Sequence, residues 1–250
     1  MNAIKYDYSG AHVLVTGGTS GIGAATAAAY REAGADVIIT GTRGSAADYD
    51  TDLSGYRYLR LDAENGENID QVAASIDKLD ILINNGGIAL ASLGLDEYDP
   101  AIFTRSINML LTSVFRLTNA CADKLAASTL EGGASMIGIA SMNSFFGMEL
   151  TPGYGAAKAG LVQMIKTLSI RLAPRNIRVN AVAAGLTESR MTANTVASEE
   201  WSAPTLARTP QKRFGKPEDI AGPILYLTSN QAGFITGQTL AADGGYSIMM

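Results

Sequence analysis

The sequence predicts an α/β fold: a doubly wound sheet of about seven parallel strands with helices on both faces. Short apolar runs recur along the chain and alternate with longer segments whose apolar residues follow helical spacing. The runs are apolar throughout, as expected of strands buried on both faces of a parallel sheet. No linker-like change in composition interrupts the alternation, which indicates a single domain over residues 1–250.

The predicted strands can be placed in order along the chain. They cover residues 13–15, 37–39, 56–61, 81–83, 136–139, 178–182 and 239–241. An Ala-rich stretch after the first run favours helix because Ala has the highest helix propensity. Between the fifth and sixth runs, Leu161, Ile165, Leu168 and Leu172 form an apolar row at helical spacing.

Residues 187–213 depart from this alternation. The segment is polar, contains Pro204 and Pro210, and carries the only tryptophan, Trp201. A long irregular insertion in a compact domain is often a binding loop or lid. We therefore expect a lid over a substrate site; the alternative is a surface excursion with a short helix.

Composition and charge exclude several classes of function. The net charge is −5 and no Lys/Arg cluster occurs, which is unlike a nucleic-acid binder. No window of about 18 apolar residues exists to span a membrane, and the first nine residues do not resemble a signal peptide. With one Cys and one His, neither a disulfide nor a transition-metal site is expected. The expected location is the cytoplasm.

A glycine-rich turn follows the first predicted strand. Residues 16–23 read TGGTSGIG, directly before the Ala-rich helix. Glycines allow close backbone approach to a ligand, and the helix N-terminus attracts an anion such as a pyrophosphate. In other contexts such a cluster is an ordinary turn, but its place between strand and helix favours a dinucleotide. The predicted cofactor contacts here are Gly17, Thr19, Ser20, Gly21, Ile22 and Gly23.

The turn after the second predicted strand bears on the choice of cofactor. NAD-preferring folds of this type place an acidic side chain there, on the ribose 2′-hydroxyl. The residues present are Thr40, Gly41, Thr42 and Arg43. Arg43 and Thr42 suit a 2′-phosphate, so NADP is the predicted cofactor, with NAD possible. In the alternative interpretation Arg43 is only a solvated loop residue.

Tyr154 and Lys158 lie four residues apart on a predicted helix that starts after Thr151 and Pro152. Residues at this spacing share a helix face, and a nearby ammonium favours the phenolate. The pair then suits proton transfer near neutral pH. Ser141, after the fifth strand, can hydrogen-bond a substrate oxygen. Taken singly, the pair is more often a surface pair and Ser141 a loop hydroxyl.

Taken together, these motifs resemble the short-chain dehydrogenase/reductase family over essentially the whole chain. Further motifs support the resemblance: residues 84–87 (NNGG), Asn108, and residues 180–187, 215–221 and 243–245. The resemblance implies a Rossmann-type fold and an oxidoreductase that is a homotetramer or homodimer.

The family resemblance also implies roles for individual residues. Tyr154 would be the general acid/base, Lys158 would hold the nicotinamide ribose and lower the tyrosine's pKa, and Ser141 would orient the substrate. Asn108 would anchor a water in a proton relay. The remaining implied cofactor contacts are Asp62 with Ala63, Asn85, Gly86, Gly87, Gly185, Leu186 and Thr187.

The chain departs from the family pattern at a few positions. Gly86 stands for the usual alanine, and Ala184 replaces a common proline, so the nicotinamide loop is expected to be looser. The connections at residues 44–55 and 64–78 look short. No departure removes a predicted catalytic group.

The predicted function is hydride transfer between NADP and a small-molecule secondary alcohol or ketone. The predicted substrate contacts are Ser141, Asn143, Glu149, Tyr154, Met191 and Trp201, although a glutamate such as Glu149 is more often solvated. One alternative is a reductase of 3-oxoacyl thioesters on acyl-carrier protein. Another is a non-catalytic scaffold that binds the cofactor.

Overall fold

The protein folds as one seven-stranded parallel sheet. The structure, a computed structural model, describes residues 4–249, so Met1 to Ala3 and Met250 lie outside the described residues. Each predicted run overlaps an observed strand, which confirms the predicted fold class. The strands are β1 (His12–Val15), β2 (Asp36–Gly41), β3 (Arg57–Arg60), β4 (Ile81–Asn84), β5 (Ala134–Ser141), β6 (Ile177–Ala184) and β7 (Thr239–Ala242).

Helices connect the strands and cover both faces of the sheet. They are α1 (Gly21–Glu32), α2 (Gly66–Ala74), α3 (Pro100–Ile107), α4 (Ser113–Ala126), α5 (Pro152–Leu172), α6 (Ala193–Ala197), α7 (Glu199–Arg208) and α8 (Pro217–Thr228). A π-helical turn, Asn108–Thr112, joins α3 to α4. Within residues 4–249, no helix is both long enough and apolar enough to cross a membrane.

The core consists of two apolar layers, one on each face of the sheet. Val13 and Val15 of β1 face the layer that contains Ile224 of α8, whereas Leu14 between them faces the layer that contains Leu125 of α4. All of these side chains are almost fully buried. Alternate residues of one strand therefore enter different layers, which is why the strands are apolar throughout. Truncating Leu14 to Ala would cost about 2–5 kcal/mol of stability.

The strand order β3-β2-β1-β4-β5-β6-β7 reverses direction between β1 and β4. Ligands of such sheets bind at the carboxyl ends of the strands beside this reversal. The glycine turn after β1 and the loop after β4 meet there. The Asn85 side-chain amide donates to the Thr16 carbonyl at 2.9 Å, and the Gly86 N–H donates to the Thr16 hydroxyl at 2.8 Å.

The segment expected to be irregular, residues 187–213, contains two helices, α6 and α7. The expectation was wrong in this respect, because α7 accommodates Pro204 in its interior, where proline removes one backbone hydrogen bond without ending the helix, and Pro210 follows the helix. The guanidinium of Arg208, at the end of α7, lies 4.6 Å from the Phe146 ring centre and 4.5 Å from that of Tyr246. This stacking fixes the end of the segment against the body of the domain.

The two short connections are observed as expected. Between β2 and β3 the chain forms only a 3₁₀ turn, Ala46–Asp48, and α2 extends over nine residues. Because no full helix covers the end of β2, the side chains of the turn itself surround that strand end.

Candidate active site

The glycine turn has the backbone geometry that a pyrophosphate requires. Gly17 has a φ of +65°, and a Cβ there would lie 2.8 Å from the Gly86 Cα. A Cβ on Gly23 would lie 2.3 Å from the Gly17 carbonyl oxygen. Positions 17 and 23 therefore have room only for glycine. Helix α1 begins at the end of the turn, and the Ser20 side chain makes no hydrogen bond to the first turn of that helix. The backbone N–H groups at the start of α1 and the positive end of its helix dipole fit a phosphate anion.

Arg190, a residue that the sequence did not single out, lies across this turn. Its guanidinium donates to the Ser20 hydroxyl at 2.7 Å. The neighbouring Ser189 Cβ lies 3.4 Å from where a Gly21 Cβ would be. No carboxylate of residues 4–249 lies within ion-pair distance of Arg190, so its charge is directed at the turn alone. Only its place in the lid segment, close after residues 185–187, could have drawn attention to it.

At the end of β2, Arg43 lies where the sequence placed it, but its side chain folds onto the connection to β3. The guanidinium stacks on the Tyr49 ring at 4.8 Å and donates to the Asp48 carbonyl. The Arg43 N–H also donates to the Tyr49 hydroxyl at 3.1 Å. The Asp48 carboxylate accepts from the Ser45 N–H, so it is engaged locally. The exposed strand end therefore presents Thr42 and Arg43.

Tyr49 is a second residue at this strand end that the sequence did not reveal. Its hydroxyl occupies the space beside Gly41, only 2.3 Å from a Cβ built there. Burial raises the pKa of Tyr49, but hydrogen bonds with the Tyr58 hydroxyl and the Arg43 N–H outweigh it and leave the pKa lowered. These hydrogen bonds thus favour the phenolate form of Tyr49 at the strand end where the adenosine is predicted to bind.

The other predicted adenosine contacts are fixed by local hydrogen bonds. The Asp62 carboxylate accepts from the Glu64 N–H at 3.0 Å, and Ala63 packs beside a small apolar cluster. The Asn85 amide is used to brace the glycine turn, so Asn85 positions the site through Thr16 and Gly17. Gly87, with a φ of +153°, packs against Leu110, where a Cβ would lie 2.4 Å from that side chain.

The segment predicted to contact the nicotinamide is firmly held. The Gly185 N–H donates to the Ala242 carbonyl at 3.0 Å, and the Gly215 N–H donates to the Leu186 carbonyl at 2.9 Å. The buried Thr187 hydroxyl donates to the Gly185 carbonyl at 3.0 Å. Backbone pairing to β7 and Gly215 holds this segment although Ala184 stands for the usual proline, and the expectation of a looser loop stays a prediction.

The predicted catalytic groups meet where β5 ends and α5 begins. Ser141 is the last residue of β5, and its hydroxyl accepts from the Asn143 N–H at 3.2 Å. Tyr154 and Lys158 occupy the first turns of α5, and both are buried. The Lys158 ammonium donates to the Ile139 carbonyl of β5 at 2.6 Å and lies 5.7 Å from the centre of the Tyr154 ring.

The electrostatics of this pair differ from the sequence-based expectation. Burial lowers the pKa of Lys158 to about 8. Burial also raises the pKa of Tyr154; the Ser141 hydroxyl opposes this by hydrogen bonding, while the Glu97 charge adds to it. Burial is the largest influence on Tyr154 and leaves its pKa raised in the protein alone, so the predicted lowering by Lys158 stays a prediction.

The start of α5 also corrects the predicted cap. Thr151 is the N-cap residue and Pro152 occupies the first helical position, but the Thr151 side chain makes no capping hydrogen bond. Its hydroxyl instead accepts from the Asn143 side-chain amide at 3.0 Å. The cap is supplied by Glu97, whose carboxylate accepts the Tyr154 N–H at 2.7 Å. Sequence reasoning missed Glu97, because a glutamate among polar loop residues normally indicates a solvated group.

Asn108 opens the π-helical turn between α3 and α4. It is exposed, and its side-chain oxygen accepts from the Thr112 hydroxyl at 3.4 Å. No hydrogen bond within the described residues joins it to Lys158 or Tyr154. Single π turns inside helices often occur at functional sites, which is consistent with a role for Asn108. Its predicted role in a proton relay stays a prediction.

The predicted substrate residues fall into two groups. Asn143 contacts Ser141, and the Met191 sulfur accepts from the Ala89 N–H at 3.4 Å, so the segment predicted to be a lid touches the loop after β4. Glu149 is exposed and Trp201 is 55% exposed; within residues 4–249 neither contributes a side-chain hydrogen bond to this cluster. A cavity of about 310 Å³ lies beneath α7, between Leu186, Leu206 and Asp243. Gly185 and Leu186 of the predicted nicotinamide segment line it.

A family model described as enoyl-(acyl carrier protein) reductase matches residues 17–247. Relatives of the chain carry the names of dehydrogenases and reductases. The chain belongs to the short-chain dehydrogenase/reductase family. This confirms the resemblance read from the sequence, and the protein is an oxidoreductase of this family.

Individual relatives of this short-chain dehydrogenase/reductase cover almost all of its length. The 3alpha-hydroxysteroid dehydrogenase of Mediterraneibacter gnavus is 36% identical over 92% of this chain and 94% of its own length. The 3-oxoacyl-[acyl-carrier-protein] reductase of Aquifex aeolicus is 35% identical over 93% of this chain and 95% of its own. The crystal structure of a putative NAD(P)-dependent gluconate 5-dehydrogenase from Beutenbergia cavernae, with bound NADP, has a TM-score of 0.85. It is 30% identical, and the match covers 98% of this chain and all of that chain.

Proposed function

We propose that this protein transfers a hydride between NADP and a secondary alcohol or ketone, with Tyr154 as the general acid/base. The observation that carries the proposal is the meeting of Ser141, Tyr154 and Lys158 at one edge of the sheet, with the glycine turn at the neighbouring strand ends. The position at the sheet reversal is where such folds bind dinucleotides. Two buried titratable groups in contact with a cleft suit acid–base work.

The bound nicotinamide supplies or accepts the hydride, and the chain's own residues manage the proton and the oxygen. In reduction, the Ser141 hydroxyl donates a hydrogen bond to the carbonyl oxygen, and the Tyr154 hydroxyl delivers a proton to it as negative charge develops. In oxidation, Tyr154 takes the proton back. Lys158, whose ammonium is already directed to the edge of β5, holds the ribose and stabilises the phenolate form. Asn108 is proposed to anchor a water in the relay.

The cofactor is proposed to be NADP, with NAD as the weaker ligand. Support comes from Thr42 and Arg43 at the end of β2, where the Asp48 carboxylate is engaged with Ser45. Arg190 is proposed to bind the pyrophosphate together with Gly17, Ser20 and Gly21, because its guanidinium already lies on the Ser20 hydroxyl. Structural neighbours with bound NADP, including the Beutenbergia protein, favour the same choice.

The substrate is proposed to be a small molecule with a secondary hydroxyl or keto group. Relatives are named for a hydroxysteroid, a hydroxycyclohexanecarboxylate, a ketodeoxygluconate and 3-oxoacyl thioesters, all of which undergo this exchange at one carbon. Several relatives named as 3-oxoacyl-[acyl-carrier-protein] reductases make that thioester the second candidate. Ser141, Asn143 and Met191 are the proposed substrate contacts that the geometry supports best.

We also propose a homotetramer or homodimer in the cytoplasm, folded as one domain with residues 187–213 as the lid. Leu240 on the edge strand β7 is 40% exposed and Phe115 on α4 is 49% exposed, and a second copy that covered them would remove this apolar surface from water. Burial raises the pKa of the lone thiol, Cys121, to about 11, which suits a structural rather than a reactive cysteine.

The proposed function is tested with a carbonyl panel. Purified protein is incubated with NADPH or NADH and, separately, acetoacetyl-coenzyme A, ethyl acetoacetate, a 3-oxosteroid and 5-ketogluconate, and loss of reduced cofactor is followed by absorbance. Turnover of at least one ketone, faster with NADPH, supports the proposal, and the preferred compound separates the two substrate candidates. Tight NADPH binding without turnover of any compound would favour the scaffold alternative.

A further inference from the structure

A buried carboxylate lies at the start of α5, and the mechanism above makes no use of it. Glu97 is only 1% exposed, although it belongs to a loop between β4 and α3. Its Oε2 accepts the Tyr154 N–H at 2.7 Å, and its Oε1 accepts the Ala91 N–H at 3.4 Å. No cation within the described chain lies within ion-pair distance of it. A buried acid without a counter-ion is costly and calls for a reason.

The first turn of α5 depends on this acceptor. A helix N-terminus leaves its first N–H groups without partners inside the helix, and an N-cap side chain normally accepts one of them. Here Pro152 has no N–H and the Thr151 hydroxyl is engaged with Asn143. The Tyr154 N–H is therefore capped from another part of the chain. Glu97 holds the helix at the very residue whose hydroxyl does the chemistry.

The packing around Glu97 leaves little freedom for this arrangement to shift. A Cβ on Gly153 would lie 2.9 Å from the Ser106 Cβ of α3 and 3.2 Å from the Glu97 Oε2. The close approach of α3 to α5 thus requires glycine beside Tyr154. Through Ala91, the same carboxylate also reaches the turn Leu90–Leu93 that follows β4. Glu97 thereby links the Tyr154 helix to the loop at the cofactor cleft.

Two charged side chains act on Tyr154. Lys158, one turn further along α5, lies 5.7 Å from the ring centre, and Glu97 contacts the backbone of Tyr154 itself. From β5, the neutral Ser141 hydroxyl is the polar neighbour. A carboxylate close to a phenol disfavours the phenolate, whereas an ammonium favours it. Buried charges of opposite sign therefore act on this tyrosine.

We infer that Glu97 is a positioning residue for Tyr154: its carboxylate holds the first turn of α5 through the Tyr154 N–H and presents to the phenol a negative charge that opposes the Lys158 ammonium. The inference rests on the proposed role of Tyr154 as general acid/base. It gives the loop glutamate a part in the reaction without contact to substrate, and it explains why an acid is kept where burial is unfavourable.

The test compares Glu97→Gln, Glu97→Asp and the matched control Glu67→Gln, an exposed glutamate on α2. Each protein carries carbon-13-labelled tyrosine, and the Tyr154 resonance is assigned by its absence in Tyr154→Phe. Titration by NMR needs neither substrate nor cofactor. In Glu97→Gln we expect Tyr154 to lose its proton at lower pH than in the wild type, because the acceptor remains while its charge is gone. Glu67→Gln should titrate as the wild type does.

Turnover of the ketone found in the panel adds a second readout. Glu97→Asp keeps the charge but withdraws it from the Tyr154 N–H, so we expect kcat to fall by about 10- to 100-fold with little change in KM. Its Tyr154 titration should stay nearer to the wild type than that of Glu97→Gln. If Glu97→Gln does not fold, the kcat-against-KM comparison on Glu97→Asp decides the question.

Two outcomes would overturn the inference. One is an unchanged Tyr154 titration in a folded Glu97→Gln protein. The other is a Glu97→Asp variant whose kcat equals that of the wild type. Failure of the proposed function looks different: Tyr154→Phe would then retain turnover, whatever the Glu97 variants do.

Discussion

The two ends of the cleft are built in different ways. At the catalytic end, Tyr154, Lys158 and Glu97 are buried and each is tied to another element by a short hydrogen bond. At the adenosine end, Arg43 and Arg190 are exposed, and each guanidinium contacts only the chain beside it or the glycine turn. The proposed catalytic groups are held by partners within the protein, whereas the arginines proposed to bind the cofactor are exposed and can reorganise around a ligand.

This difference separates reactivity from affinity. Buried groups with fixed partners act on the rate, because their geometry and protonation state are determined by the fold. Exposed arginines act on binding, because their charge is screened and their side chains must be ordered on contact. Variants at the catalytic end should therefore change kcat, and variants at the adenosine end should change Kd.

The largest effect is expected for Tyr154→Phe. Loss of the only proposed proton donor should lower kcat by about 10²- to 10⁴-fold, while the Kd of NADPH stays the same. Steady-state turnover and fluorescence titration measure the two quantities. Tyr56→Phe, which removes a hydroxyl at the residue just before β3, serves as the control. A kcat of Tyr154→Phe within about tenfold of the wild-type value would show that Tyr154 is not the general acid/base.

Lys158→Met should raise the stability of the protein while it removes the activity. Burial holds the pKa of Lys158 near 8, below its ordinary value, so the folded state loses this proton before the unfolded state does. Stability of the wild type should then rise as pH rises from about 8 toward the ordinary lysine range. The variant should lack this rise, melt at higher temperature below pH 8, and lose activity. A lower melting temperature would show that the buried ammonium stabilises the fold.

The pH dependence of cofactor binding follows from the same group. Because the ammonium is the form that donates to a ribose hydroxyl, the affinity of the wild type for NADPH should decline as pH rises through about 8. Isothermal titration across this range measures the decline, and Lys158→Met should show a flat profile.

Arg190→Gln should weaken NADPH and NADH to the same extent, by about tenfold, because both cofactors carry the pyrophosphate. Fluorescence titrations of the two cofactors side by side measure this. Arg60→Gln, at the end of β3, is a suitable control for the loss of one surface charge. Weaker binding of NADPH with unchanged binding of NADH would indicate that Arg190 binds the 2′-phosphate instead.

Arg43→Gln should give the smallest and most selective effect. We expect the Kd of NADPH to rise about fivefold and that of NADH to stay unchanged, since an exposed charge contributes modestly. The same titrations apply. An equal change for both cofactors would contradict the assignment of Arg43 and would favour Tyr49 and Thr42 as ribose contacts common to both.

The same contrast explains what the sequence could predict. Runs such as residues 81–83 can be predicted because a strand buried on both faces must be apolar at every position. The Tyr154–Lys158 pair and the glycine turn follow fixed local spacings. Glu97 has no such spacing: its partner is 57 residues away, and nothing local distinguishes a buried glutamate from a solvated one. The contact of Arg190 with Ser20 is likewise set only by how the lid segment returns over the turn.

Transfer of deuterium tests the central claim most directly. NADPH that carries deuterium in place of both hydrogens at the reactive carbon of the nicotinamide is incubated with the protein and the preferred ketone, and the product is examined by NMR and mass spectrometry. The account predicts one deuterium at the carbinol carbon of the alcohol product with the wild type, and no product with Tyr154→Phe. A product that carries deuterium elsewhere, as in reduction of a carbon–carbon double bond, or a label retained entirely in the cofactor, would contradict it.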